Sequence, residues 1–449
     1  MKMSNSELES VLKSMKKIFG GKYGLANKEY TSKKIEYQIY SDDNNSYCIG
    51  NTIPVYYSSV SSNDKRQYSG SGCSLDYRRS LVKAYGEFIE RYSATNLDNI
   101  NDKNVIFDSF NNLSKNYNCL SLKKLIHFDE KIYDNLETLY KKYSDDNLVT
   151  WVKGKDIVKN ENILLPAQKV FLGMSLRKEE FPYIQWLSTG LACGSSKESA
   201  ILGAVYEVIE RDSFVLTWKL KLPGKKIIMD KIKNKDLIKL YNHIVKNLTG
   251  EDNLYIYDIS RTEGVYTVLT FIKNCNKSSF GLVTAAASSI DIEKALLKSL
   301  EELCLTYKFC YRLLFENMDY KKLKKEEVDD LDKHLLYYST GDRSNRFDFI
   351  FSSNEEIKLS EMNNFNNSLF ESDLEYIISL FKENEKSIYI ADTTKSEIKE
   401  IGLSVFRVII PDYNDLEVNH MYKLNNNPRL LDYKNIYNRE INDEPHPFP

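Results

Sequence analysis

Two segments of this chain carry matching residues at a fixed offset of 120 positions. Ser69-Gly70, Cys73, Ala84, Glu87, Glu90-Arg91 and Ser93 correspond in order to Thr189-Gly190, Cys193, Ala204, Glu207, Glu210-Arg211 and Ser213, with no insertion over 25 residues. Such a repeat restricts the chain to folds that build one unit twice. Each copy reads as a Gly-containing turn, a polar N-cap zone and an amphipathic helix. The apolar positions are Leu81, Val82, Tyr85, Phe88 and Ile89 in the first copy, and Ile201, Leu202, Val205, Val208 and Ile209 in the second. The copies are expected to pack about a pseudo-two-fold axis.

Around the repeat, strand-like and helix-like segments are mixed, so the fold class is α+β. Residues 1–64 read as an N-terminal extension, a helix through Leu8, Val11, Leu12, Met15 and Ile18 followed by strands, suited to docking a partner. Residues 65–449 read as the main domain. Its Asn-, Asp- and Ser-rich stretches near 98–146 and 340–373 are expected to be surface insertions, the second of them mobile.

The composition excludes several function classes. Apolar residues make up 42% and charged residues 28%, the balance of a globular protein. A formal net charge of -2 supplies no global field for nucleic acid or an anionic membrane. No run of 18 apolar residues and no N-terminal h-region occurs, so a cytoplasmic protein is expected, tied to a membrane only through partners. Seven cysteines without a CxxC and five dispersed histidines suggest neither a disulfide framework nor a zinc site.

On a helix, Glu87 and Glu90 share one face and Arg91 lies four residues from Glu87. The same holds for Glu207, Glu210 and Arg211. A single such motif is most simply an exposed salt-bridged face. Two at one offset, each flanking an apolar stripe, point instead to four glutamates converging on one cleft. Carboxylates that close raise one another's pKa unless cations lie among them. Mg2+ shared with a nucleotide triphosphate would supply those cations. The arginines then either neutralise phosphate oxygens or hold the glutamates. Ser195 and its neighbours lead into a helix N-terminus, which suits phosphate oxygens or an ordinary cap. Glu302, beside the apolar stripe of a third helix over 291–307, either joins the cleft or faces solvent. P-loop and Rossmann motifs are absent.

The chain ends Pro445-His446-Pro447-Phe448-Pro449, three of its nine prolines in five residues. Alternating prolines favour an extended, low-entropy tail. Such a tail can hold the Pro449 carboxylate in a cleft as a general base, or fray, or bind a proline-recognising domain.

Glu87-x-x-Glu90-Arg91, Ser188–Gly194, Glu207–Ser213, the segment 402–411 with Pro428-Arg429, and the proline-rich end together resemble the YcaO superfamily, and within it the stand-alone azoline-forming cyclodehydratases of streptolysin S-like pathways. The resemblance covers residues 65–449. It implies ATP and Mg2+ as cofactors, with Mg2+ at Glu87, Glu90, Glu207, Glu210 and additionally Glu302. ATP contacts would come from Lys83, Arg91, Ser195, Ser199 and Arg211. It implies conversion of Cys, Ser or Thr residues of a ribosomal precursor peptide to thiazolines or oxazolines, with the Pro449 carboxylate catalytic. Implied partners are an E1-like leader-binding protein and a flavin dehydrogenase; a homodimer is allowed. The chain departs from the family pattern at Lys83 (usually Ser), Ser199 (an acid), Gly203 (often Gln), Ser71 (Lys) and Thr306 (Arg). These departures keep open a degenerate scaffold subunit. A thioamide-forming enzyme is a third reading, against which the proline-rich end speaks.

Overall fold

The computed structural model describes residues 5–448 except 21–23, 34–35, 41–46, 52, 54, 63–67, 96–104, 135–137, 249–252, 275–279, 317–322, 340 and 366–368. The chain runs α1 (Asn5–Met15), β1 (Lys28–Ser32), β2 (Glu36–Tyr40), β3 (Tyr47–Asn51), β4 (Tyr56–Ser61), β5 (Ser69–Ser74) and α2 (Tyr77–Ala94). It continues through β6 (Val105–Ser109), α3 (Phe110–Leu113), β7 (Leu148–Asp156), β8 (Glu161–Pro166), α4 (Ala167–Val170), β9 (Leu191–Gly194) and α5 (Lys197–Lys219). Next come β10 (Lys225–Ile228), α6 (Lys235–Asn247), β11 (Asn253–Asp258), β12 (Tyr266–Lys273), β13 (Leu282–Ser289) and α7 (Ile292–Glu316). β14 (Glu356–Lys358), β15 (Tyr389–Asp392) and β16 (Ser404–Ile409) complete the sheets.

The class is α+β, as expected. β1-β4-β5 form one antiparallel sheet, and β6-β7-β15-β16-β9 a second, with β8 also on β7. β13-β12-β11-β10-β14 form a third, antiparallel except for the parallel β10–β14 pair. No helix among the described residues is long and apolar enough to cross a membrane.

Both repeat segments fold as a strand followed at once by a helix. Asp76 caps α2 by accepting from the Arg78 and Arg79 amides, and Ser196, 120 positions on, caps α5. The glycines expected in a turn lie instead within β5. A Cβ on Gly70 would stand 2.2 Å from the Ala84 carbonyl oxygen, so only glycine lets α2 lie directly on its own strand. Gly190 adopts φ +84° just before β9, and a Cβ there would meet the Val408 carbonyl at 2.4 Å. α5 is embedded: every residue from Asp212 to Lys219 is buried, as befits a helix packed on more than one side. The charges this entails are paired, Asp212 with Arg429 at 2.8 Å and Lys219 with Glu417 at 2.5 Å.

Described residues of both expected insertions contribute to the core. In 98–146, Leu113, Leu120, Leu122, Leu125, Phe128 and Ile132 are buried, and β6 pairs with β7. In 340–373, Phe347, Ile350 and Leu359 are buried, and β14 extends the third sheet. Short apolar runs suffice where the intervening Ser and Asn residues cap turns, as Ser109 and Ser121 do. The boundary expected near residue 64 falls inside the β1-β4-β5 sheet, and α1 packs on α2.

Candidate functional site

Burial of Leu81, Ala84, Tyr85, Phe88 and Ile89 against β5 turns Lys83, Glu87 and Glu90 of α2 toward α5 and α7. α5 presents Glu207, Glu210 and Arg211, and α7 presents Lys298, Glu301 and Glu302. Glu90 is repelled by Glu207 and Glu87, Glu210 by Glu207 and Glu302, and Glu302 by Glu87 and Glu301. All five glutamates singled out in the sequence thus share one electrostatic neighbourhood, with Glu301 beside them. The Ser71 amide donates to Glu87 at 2.6 Å, and the Gly190 amide to Glu207 at 3.3 Å. Arg91 closes on Glu87 at 2.5 Å, whereas Arg211 stays 3.7 Å from Glu210 and 4.0 Å from Glu207. Lys83 bonds Glu301 at 2.8 Å and lies 4.0 Å from Glu302.

These cations do not quench the cluster. Burial first, and then neighbouring carboxylates, hold Glu90 well above the usual carboxylate range and raise Glu302 as well. Burial raises Glu207 against the pull of Arg211 and Arg407. Glu210 is pushed up to about 8, by burial against Arg211 and with the help of Glu207 and Glu302. Water still reaches them, since the Glu302 side chain is 50% exposed and that of Glu87 31%. Carboxylates crowded at an accessible place are the setting in which a hard divalent cation binds. Among the described residues no three His, Cys, Asp or Glu side chains could enclose one ion between them. Oxygen ligands of this kind suit Mg2+, which keeps several waters and is commonly held by one or two carboxylates.

Ser195 and Ser199 are not gathered with the glutamates. Both are exposed, and Ser199 is engaged in the capping box with Ser196. It lies eight residues before Glu207, about 12 Å along the helix axis. Thr306 is buried, but a cation does come from α7, one turn on the other side of Glu302. Lys298 acts electrostatically on Glu210, Glu302 and Glu301; burial and Lys83 lower its pKa. Its i-4 spacing from Glu302 was the available signal.

Arg407, also missed, is 1% exposed beneath Glu207. Its guanidinium donates to the carbonyls of Val170 (3.0 Å), Leu187 (2.8 Å), Ser188 (3.0 Å) and Thr189 (2.5 Å), fixing the loop whose next amide holds Glu207. Nothing in the spacing of a lone strand arginine announces partners more than 200 residues away. Arg407→Lys keeps the charge but loses the fork. It is expected to lower unfolding free energy by about 2 kcal/mol or more, because buried carbonyls lose their donors. Denaturant midpoints within experimental error of wild type would show that the fork is dispensable.

The tail is docked rather than frayed. Prolines lack an N–H, so carbonyls must carry the anchoring, and four consecutive ones accept from side chains. Trp218 Nε1 donates to Glu444 O at 3.2 Å and Tyr338 Oη to Pro445 O at 2.6 Å. His334 Nδ1 donates to His446 O at 2.9 Å and Thr284 Oγ1 to Pro447 O at 2.6 Å. His446 Nε2 meets Glu417 O at 2.8 Å while its Nδ1 accepts from the Phe448 amide, which specifies one neutral tautomer. Burial, aided by His334, holds its pKa well below the usual value. Phe448 is buried against Phe214, ring centroids 4.3 Å apart, with the Arg211 guanidinium 4.5 Å from its ring centre. Pro449 lies outside the described residues.

A cavity of about 580 Å³ adjoins the cluster at Glu301, lined also by Asn5, Ser74, Asp76, Arg79 and Asp236.

A family model described as YcaO cyclodehydratase, ATP- and Mg2+-binding, matches residues 71–414. The chain belongs to the YcaO family. ATP and Mg2+, the cofactors expected from the sequence, are those of the family description. Among curated proteins, an uncharacterized protein of Methanothermobacter thermautotrophicus is 22% identical over 270 residues, 58% of this chain and 64% of that protein. Among solved structures, a heterocyclase in complex with substrate and cofactor superposes with a TM-score of 0.71 at 15% identity. That likeness spans all of this chain but 59% of the heterocyclase. YcaO from Methanopyrus kandleri, bound with AMPPCP and Mg2+, gives 0.61 at 16% identity over 94% of each chain. At these identities the likeness is one of fold.

Proposed function

We propose that this YcaO protein is an ATP-dependent cyclodehydratase that converts Cys, Ser or Thr residues of a ribosomal precursor peptide to azolines. The observation that carries the reading is the convergence of unquenched glutamates from α2, α5 and α7 beside a docked C-terminal tail. A side-chain thiol or hydroxyl adds to the preceding amide carbonyl, losing its proton. The resulting oxygen takes the γ-phosphoryl group of ATP, ADP departs, and phosphate leaves as the nitrogen loses its proton and C=N forms. Glu87, Glu90, Glu207, Glu210 and Glu302 would hold Mg2+, which when bound would supply positive charge for the phosphate oxygens.

The chain's own residues do the rest. Arg211, Lys83 and Lys298 supply cations for phosphate oxygens, and Arg91 holds Glu87 in place. The cavity beside Glu301 takes the nucleoside. The Pro449 carboxylate is the proposed general base for the amide N–H. A scaffold subunit would have no use for repelling carboxylates that destabilise its fold, and a thioamide-forming enzyme no use for an anchored proline end.

The precursor peptide is presented by an E1-like leader-binding partner, and a flavin dehydrogenase oxidises the products. The N-terminal sheet through β1 is the proposed partner-docking region. Adding the leader-binding partner is expected to raise peptide-dependent ADP release about tenfold or more, by effective concentration. Equal rates with and without it would mean that this chain captures the leader alone.

A further inference from the structure

The geometry points to Arg346 as a positioning residue for the C-terminal carboxylate: with Lys325 and Lys423 it closes a cationic clasp on Asp443 and Glu444, which sets the register of the proline-rich tail. The proposal rests on the Pro449 reading above. Donors to backbone carbonyls do not choose a register by themselves, because an extended chain offers a carbonyl at every residue, about 3.1 Å apart. Trp218, Tyr338, His334 and Thr284 hold the tail in that way. Register has to come from side chains. Buried Phe448 supplies one such contact near the end of the tail. At its root, before Pro445, the two acids supply another.

Three segments distant in sequence from the tail bring the cations. Lys325 Nζ lies 2.7 Å and Lys423 Nζ 3.2 Å from Asp443. Arg346 Nη1 lies 2.5 Å from Glu444, to which the Tyr337 hydroxyl also donates at 3.2 Å. Arg346 is itself held, because it donates to the Tyr337 hydroxyl and its neighbour Phe347 is buried. The Phe347 ring stacks on Trp218, centroids 5.9 Å apart, and the Trp218 indole donates to the Glu444 carbonyl. One exposed ion pair would be worth little, and the Arg346 and Glu444 side chains are 38% and 28% exposed. Three cations on two adjacent acids form a network, the arrangement in which such pairs do contribute. Pro445 and Pro447 fix φ, so a displacement at Glu444 is carried along the tail rather than absorbed. A shift of about 1 Å at a catalytic group is enough to slow a reaction severely.

The test exchanges the charges in the full chain. Arg346→Glu and Glu444→Arg each replace an attraction by a repulsion of similar size. Each is expected to speed hydrogen exchange at the Phe448 amide, which is bonded to His446 in the docked tail, about tenfold. With the leader-binding partner present, each is expected to lower kcat for azoline formation about tenfold and to leave KM for ATP within about twofold of wild type. The double variant restores the pair with its charges reversed, and both measures are expected to return to within about threefold of wild type. Wild-type kcat in the folded single variants overturns the proposal whatever their exchange, since the clasp then serves stability alone. Wild-type exchange in them overturns it too, as does a double variant no better than the worse single one. If a variant fails to fold, the wild-type chain decides. Raising salt from about 0.05 to about 0.5 M screens the clasp and is expected to speed Phe448 exchange about threefold, and unchanged exchange overturns the proposal. A chain extended beyond Pro449 that forms azolines undiminished fails earlier, at the general-base reading, and takes the proposal with it.

Discussion

Glu210→Gln is expected to reduce ATP hydrolysis to about 1% of wild type or less while leaving the nucleotide-free fold as stable or more so. The loss follows from removing one of the carboxylates that would hold Mg2+ at the phosphates, and with it electrostatic stabilisation worth on the order of 10²–10³-fold. The stability effect follows from the folded-state pKa of about 8, against an ordinary value of 4.5. Between those values the folded protein keeps a proton that the unfolded chain releases. Its stabilising contribution is complete below about 4.5 and is lost as pH rises through about 8. Glutamine has no such titration, so the variant should lose less stability than wild type between pH 6 and 9. Thermal unfolding of both proteins at the two pH values checks this. A large fall in the variant's melting temperature at pH 9 would mean that Glu210 serves as a salt-bridge partner for Arg211.

One residue added after Pro449 is expected to cut azoline formation by about 10²-fold, the usual worth of a general base. The added residue moves the terminal carboxylate about 3 Å along an extended chain, more than a proton transfer geometry tolerates. Nucleotide affinity should hardly change, because the anchored carbonyls through Pro447 and the Phe448 ring against Arg211 stay where they are. The extension therefore separates tail chemistry from nucleotide binding. Loss of water from the peptide, followed by mass, reports the rate. Undiminished azoline formation in the extended chain would remove the tail from catalysis.

What the sequence made legible was local or repeated. The amphipathic period and the polar residues just before it placed α2 and α5 with their caps, and the fixed offset selected Glu87, Glu90, Glu207 and Glu210 together. Glu302 could be suggested because it flanked a third apolar stripe. What stayed hidden depends on contacts between distant segments. Gly70 and Gly72 read as a turn until the close approach of α2 shows why a strand lacks side chains there. Arg407 gains meaning only through carbonyls from 170 to 189. The tail's docking needed Thr284, His334 and Tyr338, none adjacent in sequence. Polar composition misled at 98–146 and 340–373, where a few apolar residues per segment suffice to join the core. Ser199 has a local role that the sequence did not announce, closing a capping box with Ser196.

The most direct measurement labels the peptide. A precursor peptide carrying 18O in the amide carbonyl preceding its reactive Cys is incubated with ATP, Mg2+, this chain and the leader-binding partner. Transfer of the label to inorganic phosphate, one labelled phosphate for each azoline formed, is the predicted result. Azoline formation with the label released to water, or ATP hydrolysis that leaves the label in an unmodified peptide, would contradict phosphorylation of the amide oxygen.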